Sequence, residues 1–128
     1  MVFVEFKDVT SQEETAISSY GDGGFRIGEQ RSKGSMLITP RGYYPWGVAD
    51  KADITCDSLS RIMEQRADID ILLIGSGDNM SFLPKDVRSA LEDAGIAVDV
   101  MATGAAARTY NVLLVEGRKV AAALIAVD

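Results

Sequence analysis

Thr103, Gly104, Arg108 and Asn111 are spaced so that one helix could carry them together. Gly104, Arg108 and Asn111 follow each other at four and three residues, the interval at which helical side chains share a face. A guanidinium and a carboxamide on one face can hold a carboxylate or a phosphate. Thr103, at the start of the same helix, can accept a hydrogen bond from its first free amides. Those amides carry the positive end of the helix dipole and favour an anion. A second segment, Gly75-Ser76-Gly77-Asp78-Asn79, follows an apolar run and has the form of a ligand-binding exit turn. It lacks the dinucleotide spacing and the Walker lysine, so it supports no nucleotide assignment. The structural alternative is that Arg108 pairs with Asp78 or Asp99, Asn111 satisfies a buried main-chain group, and the glycines only turn the chain.

Tyr43, Tyr44 and Trp46 form a third cluster. Tyrosine and tryptophan are enriched where proteins bind proteins. Core packing is the competing use, but adjacent strand residues point to opposite faces, so all three are hard to bury together.

Composition removes several chemistries. The chain has no histidine, which excludes Ser-His-Asp and Cys-His catalysis and every histidine-containing metal site. Its single cysteine, Cys56, allows no internal disulfide and no cysteine-rich zinc site. We expect Cys56 to be a structural or incidental, buried thiol. A carboxylate-only Mg or Ca site survives this elimination, but no stretch matches an EF-hand loop. No metal is expected, and any catalysis would rest on Asp78, Lys85, Tyr110 or a group brought by the ligand. The net charge of −6 argues against nucleic acid as a partner. Arg26, Arg31, Lys33 and Arg41 read as solvated hairpin charges. No stretch is apolar for about 20 residues, so no membrane span is expected. The start does not read as a signal peptide, and the expected location is cytoplasmic.

The elements that must position these residues divide near residue 53. Before it, strands and turns dominate. Gly21-Asp22-Gly23-Gly24 joins two strand-like segments, and Thr39-Pro40-Arg41-Gly42 joins two more, with Pro40 suited to the second position of a type I turn. Pro45 places the strand bearing Tyr43 at a sheet edge. After it, strands and helices alternate. Asp57 is placed to cap a helix carrying Leu59, Ile62 and Met63. Ile69 to Ile74 reads as a buried strand. Pro84 opens a helix with Val87, Leu91 and Ala94 on one stripe, and Gly95 ends it. Ile96 to Met101 is a strand, Thr103 to about Glu116 a helix, and Val120 to Val127 a last strand. Strand–helix–strand over 69–101 makes a βαβ unit with parallel strands. The expected fold is α/β: a three-layer domain with a central mixed, partly parallel sheet covered by helices and an N-terminal β-hairpin layer. It spans 1–128 as a single domain, with 1–15 a loose lead-in. If the two parallel strands are neighbours, residues 75–79 and 102–111 face one crevice at their carboxyl ends.

Ser18-Ser19-Tyr20-Gly21, Gly24-Phe25-Arg26-Ile27, Gly34-Ser35, Pro45-Trp46, Leu72-Leu73-Ile74-Gly75-Ser76-Gly77, Gly95-Ile96, Arg108-Thr109-Tyr110-Asn111 and Glu116-Gly117-Arg118, in this order and spacing, resemble a family of small uncharacterised domains. Its eukaryotic members include the mitochondrial NADH dehydrogenase (complex I) assembly factor 3 and a methanobacterial-type domain protein linked to adipogenesis. The resemblance runs from about residue 16 to 127. Ser76 stands where many relatives have threonine. The resemblance implies a compact three-layer α/β fold with a hairpin extension, no established catalytic activity and no known cofactor, so it transfers no catalytic residue. One branch acts as a protein partner during respiratory-complex assembly, and this chain looks like a bacterial member. The leading expectation is a non-catalytic binding or assembly module with a protein partner or a second copy of itself. The alternative is a protein or enzyme that takes a small anionic ligand in the crevice at 75–79 and 102–111.

Overall fold

The architecture was read from a computed structural model that describes residues 15–128. The expected lead-in of 1–15 lies outside it except for Thr15. Strands β1 (Ile17–Gly21) and β2 (Gly24–Ile27) are joined by Asp22-Gly23. Both turn residues have positive φ, 52° and 77°, as the tight hairpin turn that matches strand twist requires. A third strand, β3 (Gln30–Lys33), continues the meander into an antiparallel sheet of order β1-β2-β3. This strand escaped the sequence reading because Gln-Arg-Ser-Lys shows no apolar alternation; the strand is held by β2 and not by burial of its own side chains.

The second hairpin joins the central sheet. Strand β4 (Met36–Thr39) turns through Pro40-Arg41 into β5 (Gly42–Pro45). The Thr39 hydroxyl accepts the Arg41 N–H at 3.1 Å across that turn. Two 3-10 turns, Lys51–Asp53 and Asp57–Leu59, lead into the short helix α1 (Ser60–Glu64). The expected Asp57 cap does not form. Thr55 and Ser58 hold this corner instead: Ser58 N–H donates to Thr55 Oγ1 at 3.1 Å and Thr55 N–H to Ser58 Oγ at 2.9 Å, a reciprocal pair like a capping box. Cys56 sits beside them and is exposed, contrary to the expectation of burial. Strand β6 (Ile71–Gly75), helix α2 (Lys85–Asp93), strand β7 (Ala97–Met101), helix α3 (Thr103–Val115) and strand β8 (Val120–Leu124) follow. The last strand is three residues shorter than expected: Ile125 N–H still donates to Gly75 C=O of β6, but beyond it the main chain turns to other partners, Ala126 N–H donating to Ser35 Oγ and Val127 C=O accepting from Gly23 N–H.

The central sheet has the order β5-β4-β8-β6-β7. β6 runs parallel to both β7 and β8, while β4 is antiparallel to β8 and β5. β5 is an edge strand, as Pro45 demanded. β8 is buried along its whole length and reads Val-Ala-Ala-Ala-Leu. Its small side chains let layers on both faces come close. One face packs Trp46, Val48, Ile54, Leu59, Ile62, Val87 and Leu91 over Leu72 and Ile74. The other packs α3, through Ala106, Ala107 and Tyr110, together with Phe25 and Ile27 of the small sheet, over Leu73 and Ala122. Each large side chain so buried contributes about 1.5–3 kcal/mol of transfer free energy. The small sheet thus shares its layer with α3, and its contact with α3 shapes the candidate site.

Candidate functional site

The exit of β6 and the start of α3 lie at the same end of the sheet and touch directly. Gly77 N–H donates to Thr103 Oγ1 at 3.0 Å, and Thr103 N–H donates to Gly77 C=O at 2.8 Å. The Thr103 hydroxyl in turn donates a hydrogen bond to Ile125 C=O at 2.7 Å, so three chain segments meet on one buried side chain. The sequence placed Thr103 as a cap for its own helix. Instead Thr103 is the first helical residue, Ala102 occupies the cap position, and no side chain caps the helix. Gly75 packs so closely that a Cβ there would stand 2.9 Å from Thr103 Cα and 3.0 Å from a Leu124 methyl. Ser76 Oγ donates to Asn79 C=O at 2.7 Å and folds the following loop back on itself. Asp78 is exposed on that loop. Gly75, Ser76, Gly77 and Thr103 therefore meet in one hydrogen-bonded junction that is tight at Gly75 and open beside Gly77.

Gly104, Arg108 and Asn111 share a face of α3, and that face looks at β1. The Tyr20 phenol lies over Gly104, where any Cβ would collide with its oxygen. Arg108 Nη1 donates to Tyr20 Oη at 3.2 Å. Asn111 works as one rung of a ladder would: its Oδ1 accepts Ile17 N–H at 2.8 Å and its Nδ2 donates to Ile17 C=O at 2.7 Å. An open groove of about 350 Å³ runs between β1 and α3, lined by residues 17–20 with Ala107, Arg108 and Asn111. Arg108 is exposed there, and among the described residues it has no carboxylate partner. The remaining guanidinium N–H groups could hold a carboxylate or phosphate.

The three aromatics separate. Trp46 is 6% exposed, and its indole N–H donates to Ser58 C=O at 2.8 Å. Tyr44 packs half-buried on the helix face of the sheet beneath the Arg61 guanidinium, 4.1 Å from the ring centre, a cation–π contact. Tyr43 points to the other face, also half-buried. The side chains that sequence reasoning passed over are Tyr20 and the pair Met80 and Phe82. Met80 is 55% and Phe82 89% exposed, in the segment between β6 and α2. The available signal was a phenylalanine inside the turn-rich stretch Gly77-Asp78-Asn79-Met80-Ser81-Phe82.

Tyr110 faces the core, and its hydroxyl has no hydrogen-bond partner among the described residues. Burial pushes its pKa up to about 12. The Thr15 side chain works weakly the other way, but without a hydrogen bond of good geometry, so burial decides. No group of three or more metal-ligating side chains occurs among the described residues. None of their helices is long and apolar enough to cross a membrane.

A mixed sheet packed on both faces, with a small antiparallel sheet docked beside α3, defines a three-layer α/β domain with an open groove between β1 and α3. The chain belongs to a family described as a protein of unknown function (DUF498/DUF598), whose model matches residues 17–125. It is 38% identical over 109 residues to an uncharacterised protein of Rhodobacter capsulatus, covering 85% of this chain and 82% of that one. It is also 38% identical to the human NADH dehydrogenase [ubiquinone] 1 alpha subcomplex assembly factor 3, over 85% of this chain but only 59% of the human protein. Among solved structures, a Bartonella henselae chain described as an outer membrane protein superposes with a TM-score of 0.86 at 41% identity, covering 90% of this chain and 97% of that one. A Mth938-like domain of Bordetella pertussis gives a TM-score of 0.79 at 27% identity, covering 95% and 92%.

Proposed function

We propose that this chain is a non-catalytic binding module that assists the assembly of a larger complex, with NADH dehydrogenase as its setting. Relatives named as assembly factors for that enzyme support the setting, although the chain spans 59% of the human factor's length. The observation that carries the reading is Phe82, 89% exposed, with Met80 beside it. A phenylalanine held in water forgoes about 1.5–3 kcal/mol that a partner's pocket would return. Met80 and Phe82 lie two residues apart on one exposed segment, and a contiguous exposed apolar patch marks an interaction surface. The loop bearing them is anchored by Ser76 and Gly77 at its base, so the two side chains are presented from a fixed point.

The test is genetic and biochemical. A deletion strain of the host should accumulate less assembled NADH dehydrogenase on native gels stained for activity. Wild-type protein should restore it, and Phe82→Asp, folded normally by circular dichroism, should not. Full assembly in the deletion strain, or full rescue by Phe82→Asp, would overturn the reading.

A further inference from the structure

The small sheet has two edges, and they differ. The β1 edge is closed, because Asn111 occupies the main-chain groups of Ile17 and α3 stands beside it. The β3 edge pairs with nothing among the described residues. The register of the β2–β3 hairpin decides what that edge presents. Ile27 pairs with Gln30 across the two-residue turn Gly28-Glu29, and Phe25 with Ser32, so these pairs exchange the ladder hydrogen bonds. Arg31 and Lys33, the residues between and beyond them, therefore turn their N–H and C=O groups outward.

The same residues carry positive charge on one face. Arg26 stands directly opposite Arg31, and Lys33 lies two positions along the strand on the same side. Phe25 and Ile27 occupy the other side, in the core. Like charges directly opposite across strands destabilise a sheet, yet among the described residues no carboxylate pairs with these. Arg26 donates to Glu29 C=O, and Arg31 to Gly21 C=O and Asp22 C=O, so both arginines are steadied by main-chain carbonyls, and neither has a carboxylate partner among the described residues. Arg41, which was grouped with them by sequence, is instead paired with Asp68 at 2.7 Å on the central sheet. The arginines that have carboxylate partners among the described residues, Arg41, Arg88 and Arg118, all lie outside the small sheet.

A cationic edge rejects a second copy of itself, since pairing β3 with β3 would set lysine and arginine against lysine and arginine. In a chain of net charge −6 it selects the opposite kind of strand. Alternate residues of an extended segment repeat every ~7 Å on one face, the interval that separates Arg31 from Lys33. We propose that the β3 edge receives an extended, carboxylate-rich segment of a partner protein, which adds as a fourth strand and sets alternate Asp or Glu side chains against Arg31 and Lys33. Main-chain hydrogen bonds would supply affinity and the charges the register. This adds a second surface to the binding-module reading and is independent of Phe82.

The experiment uses the full chain and a fluorescein-labelled peptide of alternating Glu and Val at low ionic strength. Its controls are the Lys–Val counterpart and a single-stranded DNA of equal charge. The Glu–Val peptide should bind, the Lys–Val peptide should not, and the amides of Arg31 and Lys33 should gain protection from hydrogen exchange. Reversing both charges, R31E with K33E, should weaken binding by at least about tenfold. R66E with K119E changes net charge equally at a distance and should alter it by less than about twofold. Arg31→Gln keeps the outward N–H and Arg31→Pro removes it, so the proline variant should bind more weakly than the glutamine variant. Phe82→Asp should bind the peptide like wild type, which separates this outcome from the assembly test. Equal losses in the near and distant reversals, no protection at the two amides, or tighter binding of the DNA would each overturn the proposal.

Discussion

Asn111 is the clearest place to test how the two sheets are held together. It spans 94 residues of sequence with two hydrogen bonds, both to Ile17, at 2.8 and 2.7 Å. Replacing it with alanine removes both and leaves an N–H and a C=O on a half-buried strand edge. Each bond contributes about 1–1.5 kcal/mol where the stranded group cannot fully rehydrate, a loss of about 2–3 kcal/mol. Alanine returns about 0.6 kcal/mol through its better helix propensity. The net cost is about 1.5–2.5 kcal/mol. With an unfolding entropy of about 0.27 kcal/mol/K for a chain of this length, the melting temperature should fall by about 5–9 °C. Urea titration would measure the first figure and calorimetry the second. The position of the loss matters more than its size: native-state hydrogen exchange should quicken over residues 17–33 well before it quickens in β6 and β8. Asn111→Asp keeps the acceptor for Ile17 N–H but sets a carboxylate oxygen against Ile17 C=O. It should therefore cost more than alanine at neutral pH, and the gap should narrow once acid protonates the new carboxyl. A cost below about 0.5 kcal/mol for alanine, or exchange that quickens evenly across both sheets, would refute the reasoning.

Two glycines should respond with opposite sign to the same change. Gly75→Ala drives a Cβ against Thr103 backbone and should cost about 1–3 kcal/mol in denaturant titrations. Gly104→Ala meets only the movable end of Tyr20 and gains up to about 1 kcal/mol of helix propensity, so stability should hold or rise while Tyr20 leaves Arg108, visible as altered Tyr20 ring shifts by NMR. Thr103→Val keeps the shape but strands Gly77 N–H and Ile125 C=O, and should cost about 2–3 kcal/mol by the same titration. Because burial holds the Tyr110 phenol protonated up to about 12 against an ordinary value of 10, the unfolded chain releases that proton first as the solution becomes alkaline. Stability should be unaffected by this group below pH 10 and decline by about 1.4 kcal/mol per pH unit between 10 and 12. Tyr110→Phe should flatten that decline in alkaline denaturation curves.

Much of the fold was legible because it rests on local rules. Asp22-Gly23 can turn only as a left-handed pair, Pro45 belongs at an edge, and the β-branched run ending at Ile74 fits only a covered strand. Gly95 and the Val87/Leu91 stripe bounded α2 in the same way. Where local rules competed, the sequence misled. Asp57 and Thr103 both had the right chemistry for a cap, but Thr55 with Ser58 held one corner, and the Thr103 hydroxyl was drawn to Gly77 and Ile125. β3 stayed hidden because its partner β2 holds it in place through the main chain, without help from side-chain pattern.

The candidate site shows the same division. The spacing of Gly104, Arg108 and Asn111 established by itself that they share a helical face, since 3.6 residues per turn leaves no choice. It could not say what that face meets. Only the tertiary structure put β1 there, because the small sheet docks beside α3 through Phe25 and Ile27, contacts set by packing between segments some 80 residues apart. Docking also split the eight expected ligand residues. Thr103 and Gly104 are neighbours in sequence, but successive helical residues point about 100° apart, so one is sealed against β6 and the other opens toward Tyr20. Composition and period marked most of the elements, β3 excepted, and long-range packing alone decided which faces were covered, because burial depends on partners that no local pattern names.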